Sequence, residues 1–160
     1  MKVEVVDELS FILYLNNKYL DNVDFSNKQE IELYLKKIFT KLKQKFDNDI
    51  SGFFEITIYI NKDYGAVFVI TKEDLDYYEY FSKGIEMQVN IINNSKFLYK
   101  VDDIFIDDLY KKCDVYIYNN NYYIDIKDMN DITIFEYTNI VYGDIVNTIF
   151  DCGKKININV

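Results

Sequence analysis

Few side chains in this 160-residue chain are suited to chemistry. The sequence has no His, so the commonest general acid/base and metal ligand is missing. It has no Arg either, which removes the bidentate fork that grips phosphates, carboxylates and guanine edges. Two thiols remain, Cys113 and Cys152. A cysteine nucleophile needs a neighbouring base or cation to form its thiolate. Cys152 has Asp151 beside it and Lys154 two residues on, and it reads as a half-buried thiol near a helix end. Cys113, at a strand start, reads the same way. Among the carboxylates, Asp102, Asp103, Asp107 and Asp108 form the densest group. They lack the spacing and the central Gly of an EF-hand loop. Asp102 and Asp103 suit the first turn of a helix without any metal. The group is better read as an acidic face for a basic partner. No carboxylate pair stands out for glycoside hydrolysis, and no GxSxG, P-loop or GxGxxG motif occurs among five glycines. No catalytic, cofactor-binding or metal-ligating residue is therefore assigned, and the chain reads as a non-enzyme.

Charge and composition narrow the partners. The net charge of −9 repels phosphate backbones, so nucleic acid is not expected. Two cysteines cannot staple a secreted mini-domain. Acidic residues interrupt the N-terminus at Glu4, Asp7 and Glu8, unlike a signal peptide, and no apolar run reaches spanning length. The expectation is a cytoplasmic protein without a membrane partner. Ile, Lys, Asn, Tyr and Phe dominate, while Pro and Trp are absent and Ala66 is the single alanine. These are residues of A/T-rich codons, so aromatic richness alone does not indicate a stacking platform.

Periodicity supplies the elements that would carry a binding surface. Residues 3–6 and 11–15 read as strands around a turn at Asp7–Glu8. Ser26 and Gln29 have capping-box spacing ahead of a long helix to Phe46. Ile31, Leu35, Ile38, Phe39, Leu42 and Phe46 form its apolar stripe, and Lys36, Lys37, Lys41, Lys43 and Lys45 its solvated side. Residues 53–60 and 66–71 form a hairpin around Asn61–Gly65. Residues 73–84 are an acidic, aromatic connection. Ile85, Met87, Val89 and Ile91 alternate with polar residues in a strand assigned to the second half. A short helix follows Asp102 or Asp103 to about Lys112. Residues 114–118 and 122–127 make a hairpin around Asn119–Asn121. Residues 132–137 and 144–152 read as helical, with Gly153 as a C′ residue and a closing strand over 156–160. The fold class is α+β, in two small units over 1–78 and 84–160, each a helix packed on an antiparallel hairpin or sheet. Tyr122 and Tyr123 face opposite sides of one strand, so one is expected in the core and the other outside.

The order of these elements resembles the MecA family of bacterial adaptors, which bring substrates to the Clp unfoldase ClpC. Residues 1–8 are similar to that family's opening strand, and Gly52–Ile56 with Gly65–Lys72 to its first-domain hairpin ending in Thr-Lys. Phe97–Asp103 is similar to its strand entering an acidic helix start, and Tyr116–Ile124 to its Tyr-Tyr hairpin. Phe135-Glu136-Tyr137 and Asp151–Ile156 are similar to its closing elements. The chain departs from the family in a short interdomain connection, in the absence of its early Arg-rich segment, and in Cys152 where a Tyr normally precedes the Gly. The resemblance implies that the first half holds substrate proteins and the second docks on a Clp-type unfoldase. The docking residues would be Asp102, Asp103, Asp107, Asp108, Tyr122, Tyr123 and Glu136. The alternative is an α+β interaction module that binds one partner, or itself, through a sheet edge.

Overall fold

A computed structural model describes residues 1–46, 51–73, 84–102, 113–126 and 138–156, without the side chains of Lys45 and Phe46. Within them lie two helices and ten strands in two five-stranded sheets, so the protein is mixed α and β, with strand predominating. The chain divides into two compact units, Met1–Asn94 and Ser95–Val160.

The first unit opens with a hairpin of β1 (Lys2–Val5) and β2 (Ser10–Leu15). The backbone amides of Val6 and Asp7 close its turn on the Ser10 carbonyl. A single 3-10 turn, Asn17–Tyr19, leads towards α1 (Lys28–Phe46). The residue capping α1 is Asn27 rather than Ser26. Its carbonyl accepts the Ile31 amide at 3.2 Å and its Oδ1 accepts the Gln29 amide at 3.1 Å. Its Nδ2 donates to Glu30 Oε1 at 3.4 Å, while its backbone amide donates to the Asp24 carbonyl at 3.1 Å. The cap is thus a single side-chain cap one residue later than the spacing suggests, without the reciprocal half of a capping box. Ser26 is engaged elsewhere, its hydroxyl and amide both donating to Asp24 Oδ1.

From that cap the helix phase follows the sequence stripe. Ile31, Leu35, Ile38, Phe39 and Leu42 are all buried; Phe46, the last member, has a side chain outside the described set. Lys36, Lys37, Lys41 and Lys43 are exposed. The buried row packs on Leu13, Leu15, Phe54, Ile56, Ile58, Ala66, Phe68 and Ile70 from one face of the sheet. That sheet runs β1-β2-β4-β3-β5, with β3 (Gly52–Asn61) and β4 (Gly65–Glu73) forming the expected long hairpin. Gly65 has φ 118°, and a Cβ there would strike the Leu15 carbonyl, so the turn into β4 requires glycine.

The strand at 85–92 corrects the division drawn from the sequence. Ile85–Ile92 is β5, and it pairs in parallel with β3 along its whole length, Gly52 opposite Ile85 to Tyr59 opposite Ile92. Ile85, Met87, Val89 and Ile91 pack against the same core as α1. The strand thus completes the first sheet instead of opening the second unit, which begins at Ser95 rather than at residue 84. The physical reason is burial: its apolar row fits the free flank of β3 beneath α1. The sheet is consequently not wholly antiparallel.

The second unit has the order β10-β7-β8-β6-β9, all antiparallel. Its strands are β6 (Leu98–Val101), β7 (Asp114–Tyr118), β8 (Asn121–Asp125), β9 (Asn139–Val141) and β10 (Lys154–Ile156). Helix α2 (Asp144–Cys152) precedes β10. Gly153 is extended (φ −73°, ψ 146°), not left-handed. It is needed for space: a Cβ would strike the Ile149 carbonyl, which accepts the Gly153 amide at 2.8 Å. The expected helices over 103–112 and 132–137, and the strand beyond Ile156, lie outside the described residues.

Two measurements check this account. Leu35→Ala should lower the urea-unfolding free energy by about 2–5 kcal/mol, whereas Leu33→Ala, four-tenths shielded at 60% exposure, should change it by under about 1 kcal/mol. The Asp24 carboxyl is held below its usual range, first by the Ser26 hydroxyl and then by the Ser26 amide. Its contribution to stability is present above the unfolded aspartate value and is lost as pH falls through the lowered folded value. In an NMR titration, Ser26→Ala should move the Asp24 midpoint upward.

Candidate functional site

The residues expected to dock a partner fall in the second unit, and the structure places three of them. Asp102 is exposed and follows β6 directly. Val101, one residue earlier, pairs with Tyr122, so Asp102 stands at the end of the sheet where the β7–β8 turn lies. Asp103, Asp107, Asp108 and Glu136 lie outside the described residues.

The turn itself is short. Tyr118 pairs with Asn121, leaving Asn119 and Asn120 as the two loop residues, at φ 47° and 59°. Positive φ at both central positions gives a type I′ turn, whose twist matches a hairpin, and Asn tolerates that conformation better than most residues. Asn121 Nδ2 donates to the Asn119 carbonyl at 2.9 Å and braces the loop. The hairpin is therefore tighter than the three-residue Asn119–Asn121 connection read from the sequence.

Tyr122 and Tyr123 do face opposite sides, but both sides are packed. Tyr123, 9% exposed, joins Leu98, Val146 and Ile149 beneath α2. Tyr122 is half-buried against Tyr99, Val101, Val115, Ile124 and Ile126 on the other face. The expectation of one core tyrosine is met by Tyr123, while Tyr122 is half-buried rather than fully outside. A two-sided sheet gives each strand residue an apolar neighbour. What these residues can offer a partner is the exposed part of Tyr122, beside Asp102 and the Asn119–Asn120 turn.

Around α2, aromatic and cationic groups interleave. Tyr116 meets Phe150 edge-on at 5.1 Å between centroids. Lys155 Nζ lies 5.8 Å from the Tyr116 ring and Lys96 Nζ 5.2 Å from the Phe150 ring. Lys155 also pairs with Asp114 at 3.0 Å. Asp114 stands directly across the ladder from Asp125, so this ammonium offsets a like-charge repulsion. These contacts account for both lysines as parts of the unit's own packing.

The thiols stand apart. Cys113 is half-buried against the Tyr99 cluster; Cys152 is exposed at the end of α2; neither forms a disulfide. Among the described residues, no three His, Cys, Asp or Glu side chains converge as metal ligands would. Nor is any described helix long and apolar enough to cross a membrane.

One surface of the first unit escaped the sequence reading. The face opposite α1 carries Ile12, Tyr14, Thr57, Tyr59, Val67 and Val69, brought side by side by the registers Ile12–Val69–Thr57 and Tyr14–Val67–Tyr59. Val67 is fully buried and the others half-buried. Glu55 and Glu86 flank this strip and are exposed. The signal was present: Phe11–Leu15 and Ala66–Ile70 are unbroken apolar runs, which mark strands covered on both faces.

No protein-family model, no curated protein and no solved structure matches this chain.

Replacing Tyr123 by Ala should cost the second unit about 3–5 kcal/mol, as for other buried aromatics. Tyr122→Ala should cost less, because part of that ring already meets water. Thermal unfolding followed through the aromatic signal would test the order; equal losses would contradict the burial difference.

Proposed function

We propose that this protein is a non-enzymatic adaptor, which binds substrate proteins and delivers them to a Clp-type AAA+ unfoldase for regulated proteolysis. The observation that supports this reading best is the division of one chain into two units with separate cores, Met1–Asn94 and Ser95–Val160. An adaptor must present two surfaces at once and needs no chemistry of its own. The MecA-like segments fall one set to each unit: the β1 strand and the β3–β4 hairpin in the first, the β6 strand and the Tyr-Tyr hairpin in the second. On this reading the first unit holds substrate, each unit uses its helix to brace the sheet that makes contact, and the cytoplasm is where both partners are met. The net charge of −9 would speed encounter with a basic docking surface while adding little affinity. No cofactor takes part. The second reading, an interaction module without a Clp partner, is favoured by one feature of the first unit, the long terminal strand β5.

The test is binding of the full chain to the isolated N-terminal domain of a ClpC-type unfoldase. Binding is expected, weakening as salt rises, since charges are screened over about 8 Å at physiological ionic strength. Asp107→Asn with Asp108→Asn should slow association and flatten that salt dependence with little change in Tm. Cys113→Ser with Cys152→Ser should leave binding unchanged. Absence of binding at low salt would end the adaptor reading.

A further inference from the structure

The two edges of the first sheet are built differently. β1 is four residues long and places Lys2 and Glu4 on its outward face, the usual protection of a sheet edge against pairing. β5, the strand at the other end, runs for eight residues from Ile85 to Ile92. Its sequence, Ile-Glu-Met-Gln-Val-Asn-Ile-Ile, contains no Pro and no Lys, and Glu86 is its one charge. None of its residues has a positive φ that would bulge it away. Alternation along it is strict: Ile85, Met87, Val89 and Ile91 lie half-buried beside α1, and Glu86, Gln88 and Asn90 are exposed on the other face.

That pattern is self-complementary. If two copies of β5 run antiparallel about a two-fold axis at Gln88, Glu86 of each copy faces Asn90 of the other, and the two Gln88 amides face each other. On the α1 side, Ile85 meets Ile91 and Met87 meets Val89. Every side chain from Ile85 to Ile91 then has a partner of its own kind, with a carboxylate accepting from an amide at both ends. Moving the axis to Glu86 would set two carboxylates against each other, and moving it to Val89 would set Glu86 against Ile92. An axis at Gln88 is the register that pairs all seven residues with one another.

We infer that β5 is a homodimerisation strand, through which two copies of this chain join their first sheets into one continuous antiparallel junction about Gln88. Such an interface is isologous, the commonest arrangement among homo-oligomers. The acidic net charge opposes it at long range, but only Glu86 carries charge within the strand, so the dimer tightens as salt rises. That is the reverse of the salt response expected for docking on a basic unfoldase. This inference is independent of the adaptor reading: either can fail while the other stands.

Sedimentation equilibrium of the full chain over the micromolar range tests it. A monomer–dimer equilibrium is expected, with Kd falling as salt is raised. Gln88→Lys sets two ammonium groups face to face on the axis and should raise Kd about fivefold or more. Asn90→Lys sets an ammonium opposite Glu86 twice per dimer and should lower Kd by a similar factor. Both positions are exposed, and an unchanged circular dichroism spectrum confirms that each variant folds. A chain that stays monomeric throughout overturns the inference. So does a dimer that neither substitution moves, since its interface must then lie elsewhere, and so does one that both substitutions weaken, since its register must then differ.

Discussion

Phe39 is the contact on which the first unit turns. It is fully buried on α1, its ring 5.0 Å from that of Phe54 on β3 and 6.1 Å edge-on from that of Phe11 on β2. One helical side chain thereby ties together two strands that are not neighbours, since β4 lies between them. Aromatic pairs in such tilted and edge-on arrangements add to the burial of their area. Because strand residues alternate, a slip of one residue in β2 or β3 would turn Phe11 or Phe54 to the opposite face and break the triad. Helix position and strand register are thus set by the same packing, and the remaining members of the helical stripe extend it along the sheet.

The two units meet their packing requirements in different ways. The first covers one sheet face with α1 and keeps a narrow apolar strip on the other. The second distributes apolar residues over both faces, one cluster under α2 and one around Tyr99. Its short strands would be marginal alone, and the tight Asn119–Asn120 turn joins β7 to β8 with little loop entropy to overcome. This construction decides how Tyr122 and Tyr123 can be used. Packing that stabilises the hairpin consumes Tyr123 completely and leaves only part of Tyr122 for contact. At this end of the hairpin, the exposed described groups are Asp102, Asn119 and Asn120.

Much of the local structure was legible. The stripe from Ile31 to Leu42 has one helical phase, and no competing period fits it. The β3–β4 hairpin was marked by β-branched alternation on either side of Asn61–Gly65, and the β7–β8 hairpin by its run of asparagines. Where the reading slipped by a residue, a local competition explains it. Ser26 and Asn27 are both good caps, and Asp24 captured the Ser26 hydroxyl, leaving Asn27 to close the helix. Gly153 was legible as a helix stop, but the reason for glycine is the close approach of the Ile149 carbonyl one turn earlier, which depends on how the last turn of α2 closes. Of the candidate docking residues, Asp102 was recognisable as exposed from its charge. The depth of Tyr123 was not, because a Tyr-Tyr pair in a strand reads alike whether one or both faces of the sheet are covered.

By itself, then, the sequence determined the helices Lys28–Phe46 and Asp144–Cys152, the positions of the hairpin turns, the acidic charge and the absence of His and Arg. All of these are properties of single residues or of near neighbours along the chain. Tertiary structure alone decided where β5 belongs. Alternation in Ile85–Ile92 shows that one face is apolar, but it carries no information about which strand lies alongside. That choice is made by hydrogen bonds and side-chain contacts to β3, more than thirty residues earlier, and by the space that α1 leaves above them. The boundary between the units moved with that one strand, and so did the edge at which the first sheet ends.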